Sequence, residues 1–279
     1  MKTALFTFLC LFTPVLWAVQ EEESETPTFD WQTGPIVRLA NYATLDLNKR
    51  FVFLNGDETR RLMALYGNPP TNQECGLVAS AEDPYGWFVC FEFDKVGYVK
   101  DSDRDEIDAD SILDDYKKGS KASNKHREEM GMPPLNIIGW KVKPNYDVAT
   151  NNLEWCLEFE SEGEPVLNHN IKILGREGVM NAVLVCDPEI FDSALAETRE
   201  VLKDFHYVEG KRYADFVKGD KIAEYGLTAL VAGGAVAVAA KSGILGKLLK
   251  PILIGLAAVG AFLKNFIKRL FGRGDEDAT

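Results

Sequence analysis

The chain is poor in the residues and spacings that chemistry most often uses. Its three histidines (His126, His169, His206) lie far apart, with no neighbouring pair for a metal and no Ser or Cys beside them in a known nucleophile motif. No Cys-x-x-Cys occurs, which removes zinc ribbons and redox loops. There is no G-x-S-x-G, no phosphate loop and no G-x-G-x-x-G. No Asn-x-Ser/Thr acceptor occurs, so nothing signals eukaryotic secretion and a bacterial envelope becomes the expected setting. The last absence is one of sign. From Tyr225 to Arg273 there is no acidic residue, only Lys241, Lys247, Lys250, Lys264, Lys268, Arg269 and Arg273.

Those lysines and arginines punctuate two apolar stretches, Gly226–Ala240 and Pro251–Leu263. Upstream, residues 19–224 carry a net charge of about −17. An acidic body joined to a basic, apolar tail reads as a membrane-anchored protein. The acidic body offers no basic stripe for phosphates, so nucleic acid is not an expected partner; the lipid bilayer is. Lys2 followed by the apolar run Ala4–Trp17 reads as a secretory signal peptide of residues 1–18, cut after Ala18. Residues 19–30 form an acidic leader, 31–220 the exported domain, and 221–279 the anchor region. Neither apolar stretch alone reaches the ~20 residues of a bilayer span. A single span leaves Lys264–Arg273 in the cytoplasm; a helical hairpin puts it beside the exported body, against the positive-inside tendency. One span is therefore expected, with the main domain in the periplasm and the anchor in the inner membrane.

Removing the signal peptide removes Cys10. The remaining four cysteines (Cys75, Cys90, Cys156, Cys186) permit one or two disulfides in an exported protein. Three of them sit in apolar, strand-like runs, where free cysteine behaves as a small hydrophobe. Strands are expected at Ile36–Asn41, Ala43–Leu47, Phe51–Leu54, Trp87–Phe93 and Leu135–Trp140, with Gly97–Val99 continuing the sheet. Leu153, Trp155, Leu157 and Phe159 alternate with polar partners, and Val166–Leu174 and Val179–Cys186 complete an antiparallel meander. Asn55 is the N-cap of a helix to Tyr66, and Gly67-Asn68-Pro69-Pro70 ends it. A second helix spans about Ile107–Met130, and a third runs from Asp187-Pro188-Glu189 to about Phe205. The fold class is α+β, a mainly antiparallel sheet with flanking helices, followed by a C-terminal membrane helix or helical hairpin. Two lobes could meet near Pro133-Pro134.

Five ordered motifs carry a resemblance. They are Gly97-Tyr98-Val99-Lys100-Asp101; Asn124-x-x-Arg127-x-x-x-Gly131; Gly139-Trp140-x-x-x-Pro144-x-Tyr146-Asp147-x-x-Thr150-x-x-Leu153-x-Trp155; Leu174-Gly175-Arg176-Glu177-Gly178-Val179; and Tyr225-Gly226-Leu227-x-x-Leu230-Val231-x-Gly233-Gly234. Together they resemble the bacterial membrane-anchored proteins of the domain of unknown function 2167 family, from about Trp31 to Phe271. The resemblance implies an exported domain with a C-terminal membrane segment, and no reaction. The cysteines belong to none of the motifs.

The sharpest local signal is Asp101-Ser-Asp103-Arg-Asp105-Glu106-Ile-Asp108-Ala-Asp110. Its start matches a calcium loop, but Glu106 stands where glycine is needed and Ile112 where a bidentate glutamate is needed. These acids are expected to cap and charge the following helix instead. The Trp140–Trp155 region is expected to fill core, with Asp147 and Thr150 closing a turn. Arg176 and Glu177 are expected at an exposed hairpin tip. No catalytic, cofactor-binding or metal-binding residue is assigned. The expected function is binding of a protein or envelope component by the exported domain. The alternative is an envelope hydrolase using carboxylates from Asp101–Asp110 and Asp147.

Overall fold

The computed structural model describes residues 28–65, 71–129 and 133–233. The expected signal peptide, most of the acidic leader and the tail from residue 234 lie outside them. Among the described residues no helix is long and apolar enough to cross a membrane.

The chain runs β1 (Ile36–Leu39), β2 (Ala43–Asp46), β3 (Phe51–Asn55), α1 (Gly56–Leu65), β4 (Glu74–Ser80), β5 (Trp87–Asp94), α2 (Ala109–Glu129), β6 (Asn136–Asp147), β7 (Asn152–Ser161), β8 (Glu164–Leu174), β9 (Val179–Cys186), α3 (Phe191–Lys203), β10 (Phe205–Tyr207) and α4 (Leu227–Val231). The fold is α+β. Seven strands form one antiparallel sheet in the order β3-β4-β5-β9-β8-β7-β6, and β1-β2-β10 form a small second sheet. The large sheet runs unbroken across the Pro133-Pro134 region because β5 pairs β9 over eight residues, so two separate lobes do not form.

Local chemistry starts and stops the elements. The Asn55 side-chain oxygen accepts the backbone N–H groups of Asp57 and Glu58, both at 3.0 Å, and so caps α1. Asp108 does the same for α2 through Asp110 at 3.2 Å and Ser111 at 3.0 Å. At the β6–β7 turn, Asp147 accepts from the Ala149 N–H and the Thr150 hydroxyl, both at 2.9 Å. Those donors hold its carboxyl below the ordinary range. β6 carries Pro144, which is tolerated because β6 is the sheet's edge strand. The third helix stops at Lys203, not Phe205, because Phe205–Tyr207 are used to pair with β2.

The large sheet is covered on both faces. On one, Phe53, Phe91, Ile171, Met180 and Leu184 pack with α3 and the small sheet in the largest core cluster. On the other, α1 covers Val52, Leu54, Leu77 and Phe88 at one end. The predicted alternation of Leu153, Trp155, Leu157 and Phe159 points into a third cluster with α2 and α4. That cluster includes Leu227, Leu230 and Val231, which are buried. Residues 221–233 are therefore part of the folded domain, and the boundary drawn at 220/221 from the sequence falls too early. The Gly97–Val99 segment adds no strand to the large sheet; Tyr98 makes a lone parallel bridge to Ile222.

All four described cysteines are buried and unpaired, so no disulfide joins them. Burial pushes the Cys75 thiol up to about 11 and those of Cys156 and Cys186 up to about 12, which makes them poor nucleophiles.

Candidate functional site

Three segments converge beyond the end of β5: Lys95–Val99, the β8–β9 turn Gly175–Gly178, and the stretch 209–223. Backbone hydrogen bonds stitch them together. The Gly97 N–H donates to Glu177 O at 2.9 Å, Tyr98 N–H to Lys221 O at 2.8 Å, and Ala223 N–H to Tyr98 O at 2.9 Å. Two glycines make this approach possible. Gly97 has φ +101°, and a Cβ there would sit 2.6 Å from Lys221 O. A Cβ on Gly178 would sit 2.1 Å from Asp94 O.

The convergence leaves a cavity of about 320 Å³, lined by Lys95, Gly97, Arg176, Glu177, Asp220 and Lys221. Its size is at the lower end of small-molecule sites. Arg176 is a fixed wall. Its guanidinium donates to both Asp220 oxygens, at 2.7 and 2.9 Å, and to Gly210 O at 3.3 Å. The bidentate pair holds the Asp220 carboxyl below its ordinary range. Glu177 is paired with Lys211 at 2.9 Å. Lys95 and Lys221 are exposed, and among the described residues neither makes an ion pair. Beneath, Tyr98 stacks on Tyr213 with centroids 4.5 Å apart, and Tyr213 donates to Val99 O at 2.9 Å.

This arrangement corrects the reading of Arg176 and Glu177 as an exposed tip: both are half-buried and hold the cavity together. The acidic run is dispersed over several partners. Asp101 accepts from the Tyr146 hydroxyl at 3.2 Å. Asp103 spends both carboxylate oxygens on the Leu227 and Thr228 N–H groups at 3.0 Å, capping α4 and not α2. Asp110 lies 3.1 Å from Lys143. Asp147, held by its own turn, follows Tyr146 on the strand and so points to the opposite side from it. The structure therefore does not gather Asp101–Asp110 and Asp147 into one acid–base pair. Trp155 is buried, and Trp140 donates to Ala109 O at 2.9 Å, so both tryptophans serve packing.

Sequence reasoning missed Lys95, Asp220 and Lys221 as neighbours. They share no motif, and only the return of the chain after β10 brings them to the β8–β9 turn.

Fold and site together define an α+β domain built on a mainly antiparallel sheet, with a small cavity edged by charged side chains at its margin. The chain belongs to the family described as protein of unknown function (DUF2167), whose model matches residues 31–263. A comparison with curated proteins finds no match. Among solved structures, the solution structure of cyanobacterial PsbP (CyanoP) from Synechocystis sp. PCC 6803 is similar over 63% of this chain and 94% of its own, with 9% sequence identity and a TM-score of 0.35. Values that low carry no argument about what this chain does.

Proposed function

We propose that this chain is a membrane-tethered protein of the bacterial envelope whose exported domain works by binding. In this reading the cavity takes an anionic group, a phosphate or carboxylate, of an envelope component. The observation that carries it is the pair of exposed cations, Lys95 and Lys221, which form no ion pair among the described residues, on the rim of a cavity whose Arg176–Asp220 and Lys211–Glu177 charges are paired. In a chain of net charge −12, two exposed ammonium groups over a fixed Arg–Asp wall select a negative ligand locally. The tether reading rests on the basic, apolar tail beyond residue 233 and the apolar N-terminal run.

The full chain in detergent should gain thermal stability with inorganic phosphate or with phosphatidylglycerol micelles, and not with phosphatidylcholine. A preference for the lipid over free phosphate would identify a headgroup. Combined Lys95→Ala and Lys221→Ala should weaken binding about tenfold, equivalent to about 1.4 kcal/mol. Equal binding by this variant would remove the cavity from the mechanism. Robust turnover of ester, phosphate or glycoside substrates would replace binding with catalysis. Recovery of the intact chain in a high-speed supernatant without detergent would end the tether.

A further inference from the structure

The loop between β10 and α4 carries an apolar edge that the fold does not cover. Among the described residues the exposed large apolar side chains are Ile36, Ile138, Val148, Ile190, Val217 and Ile222. The first four fall on different segments, and apolar groups exposed singly are ordinary. Val217 and Ile222 fall on one loop, at 52% and 43% exposure. They flank one aromatic stack. The Tyr98 ring lies 4.2 Å from the Phe216 ring and 4.5 Å from the Tyr213 ring, centre to centre. Val217 follows Phe216, and Ile222 bridges to Tyr98. The loop is braced from behind. The Val217 N–H donates to Asp220 Oδ2 at 2.8 Å, the Asp220 N–H donates to Val217 O at 3.1 Å, and Arg176 grips the same carboxylate. Lys218 and Gly219 form its exposed tip, with Gly219 at φ +108°.

Lysines border this edge. Lys95, Lys218 and Lys221 are exposed and make no ion pair among the described residues. Of the loop's acids, Asp215 accepts the Arg212 N–H at 3.0 Å, Asp220 is paired with Arg176, and Glu224 is exposed. Asp94 interacts with Lys172 more strongly than with Lys221. The way out of the domain is near. Ile222 lies just before Ala223–Gly226 and α4, so it is at most about 22 Å from the end of that helix. The basic, apolar tail follows beyond residue 233. The other flank of α4 has the opposite sign. There the turn Arg104–Glu106 packs on α4, and Asp105, Glu106, Asp108 and Asp110 are exposed.

We infer that the 217–222 edge is a lipid-contact surface. It rests on an anionic bilayer, with Val217 and Ile222 in the interface and Lys95, Lys218 and Lys221 among the headgroups. Anionic lipid attracts the lysine flank and repels the Asp105–Asp110 flank, which sets the side of the domain that lies down. A second copy on this edge would bring like lysines face to face. The inference rests on the tether reading and adds an orientation to it. The two lysines of the cavity then stand at the headgroup layer.

The test uses the full chain in vesicles of phosphatidylcholine with phosphatidylglycerol. The four described native cysteines are buried, so a fluorescent label goes to one introduced by Val217→Cys, Ile222→Cys or, as a control on α3, Ala196→Cys. Circular dichroism confirms that each variant is folded. Labels at 217 and 222 should shift to the blue and be quenched by doxyl-labelled lipid, while the label at 196 stays in water. Adding Lys218→Ala should lower the docked-to-undocked ratio about fivefold in these vesicles and leave it unchanged in phosphatidylcholine alone. Vesicles that fail to carry the chain on flotation would end the tether and this inference with it. Vesicles that carry the chain with unquenched labels at 217 and 222, or with the label at 196 quenched as strongly, would overturn the inference alone. A blue shift that depends on protein concentration and not on lipid would give the surface to a second copy, and overturns it too.

Discussion

The two faces of the seven-stranded sheet differ in how they are covered. One is sealed by a single cluster running from Phe51 to Cys186 under α3 and the small sheet. The other is two separate patches, one under α1 and one under α2 and α4, and it also carries Glu74, Glu92, Asn181 and Lys172, set opposite one another on neighbouring strands. Even the sealed face has a polar margin. There His169 Nε2 lies 3.3 Å from Glu154, which also meets Arg199 of α3 at 2.7 Å. Glu154 thereby ties α3 to the sheet through Arg199, while neither ring nitrogen of the buried His169 makes a hydrogen bond. The row on the opposite face has partners of its own: the Arg60 guanidinium stands 3.9 Å from Glu74, and the Lys172 ammonium 5.6 Å from the Trp155 ring centre.

Substitutions can break this comparison in order of their cost. Phe91→Ala, in the sealed cluster at 0% exposure, should cost about 3–5 kcal/mol by urea denaturation. A loss below ~1 kcal/mol would mean that the sealed face is not the core. Tyr207→Phe should cost about 1–3 kcal/mol, because the hydroxyl donates to Ile173 O at 2.7 Å and accepts the buried Met180 N–H at 3.0 Å. Melting of the variant against wild type measures it; no change would detach the small sheet from the sealed face.

On the interrupted face the effects are smaller. Asp103→Ala should cost about 0.5–2 kcal/mol through the lost α4 cap, with Asp103→Asn intermediate. Denaturation midpoints of both variants check the order. Lys172 gives a pH signature. Its folded value lies below its ordinary one, so the unfolded chain binds more protons between about 8 and ~10.4. Stability should rise with pH across that window, by less than about 1.4 kcal/mol per pH unit, and Lys172→Met should flatten the rise. A rise that persists in the variant would place its origin elsewhere. Glu154 gives the opposite limb. His169, then Arg199, hold its carboxyl below the ordinary range. Its contribution is therefore present above the unfolded value of about 4.3 and lost as pH falls through the folded one. Glu154→Gln should shallow the acid limb by under about 1 kcal/mol in an acid titration, discounted for its contact with water.

Much of this plan was legible before folding. The Asn55 cap, the Asp147–Thr150 turn and the alternation from Leu153 to Phe159 all rest on contacts within a few residues, where side-chain identity sets the outcome. β4 was not legible. Six of its seven residues are buried, on both faces, so no period of two survives in Glu74–Ser80. β10 has only three residues and exists because β2 offers an edge. Residues 227–231 read as membrane-like because a buried core helix and a lipid-facing one share the same apolar residues.

The amino-acid order by itself determined the α+β class, the caps and turns, and the division into an acidic body and a basic, apolar tail, because each follows from local pattern and charge. Which residues stand face to face was decided only by tertiary structure. Glu74, Glu92, Lys172 and Asn181 become neighbours through strand register, and Lys95, Arg176 and Lys221 through the return of the chain after β10. Register is a property of paired strands, fixed by packing on both faces of the sheet, and no single segment encodes it.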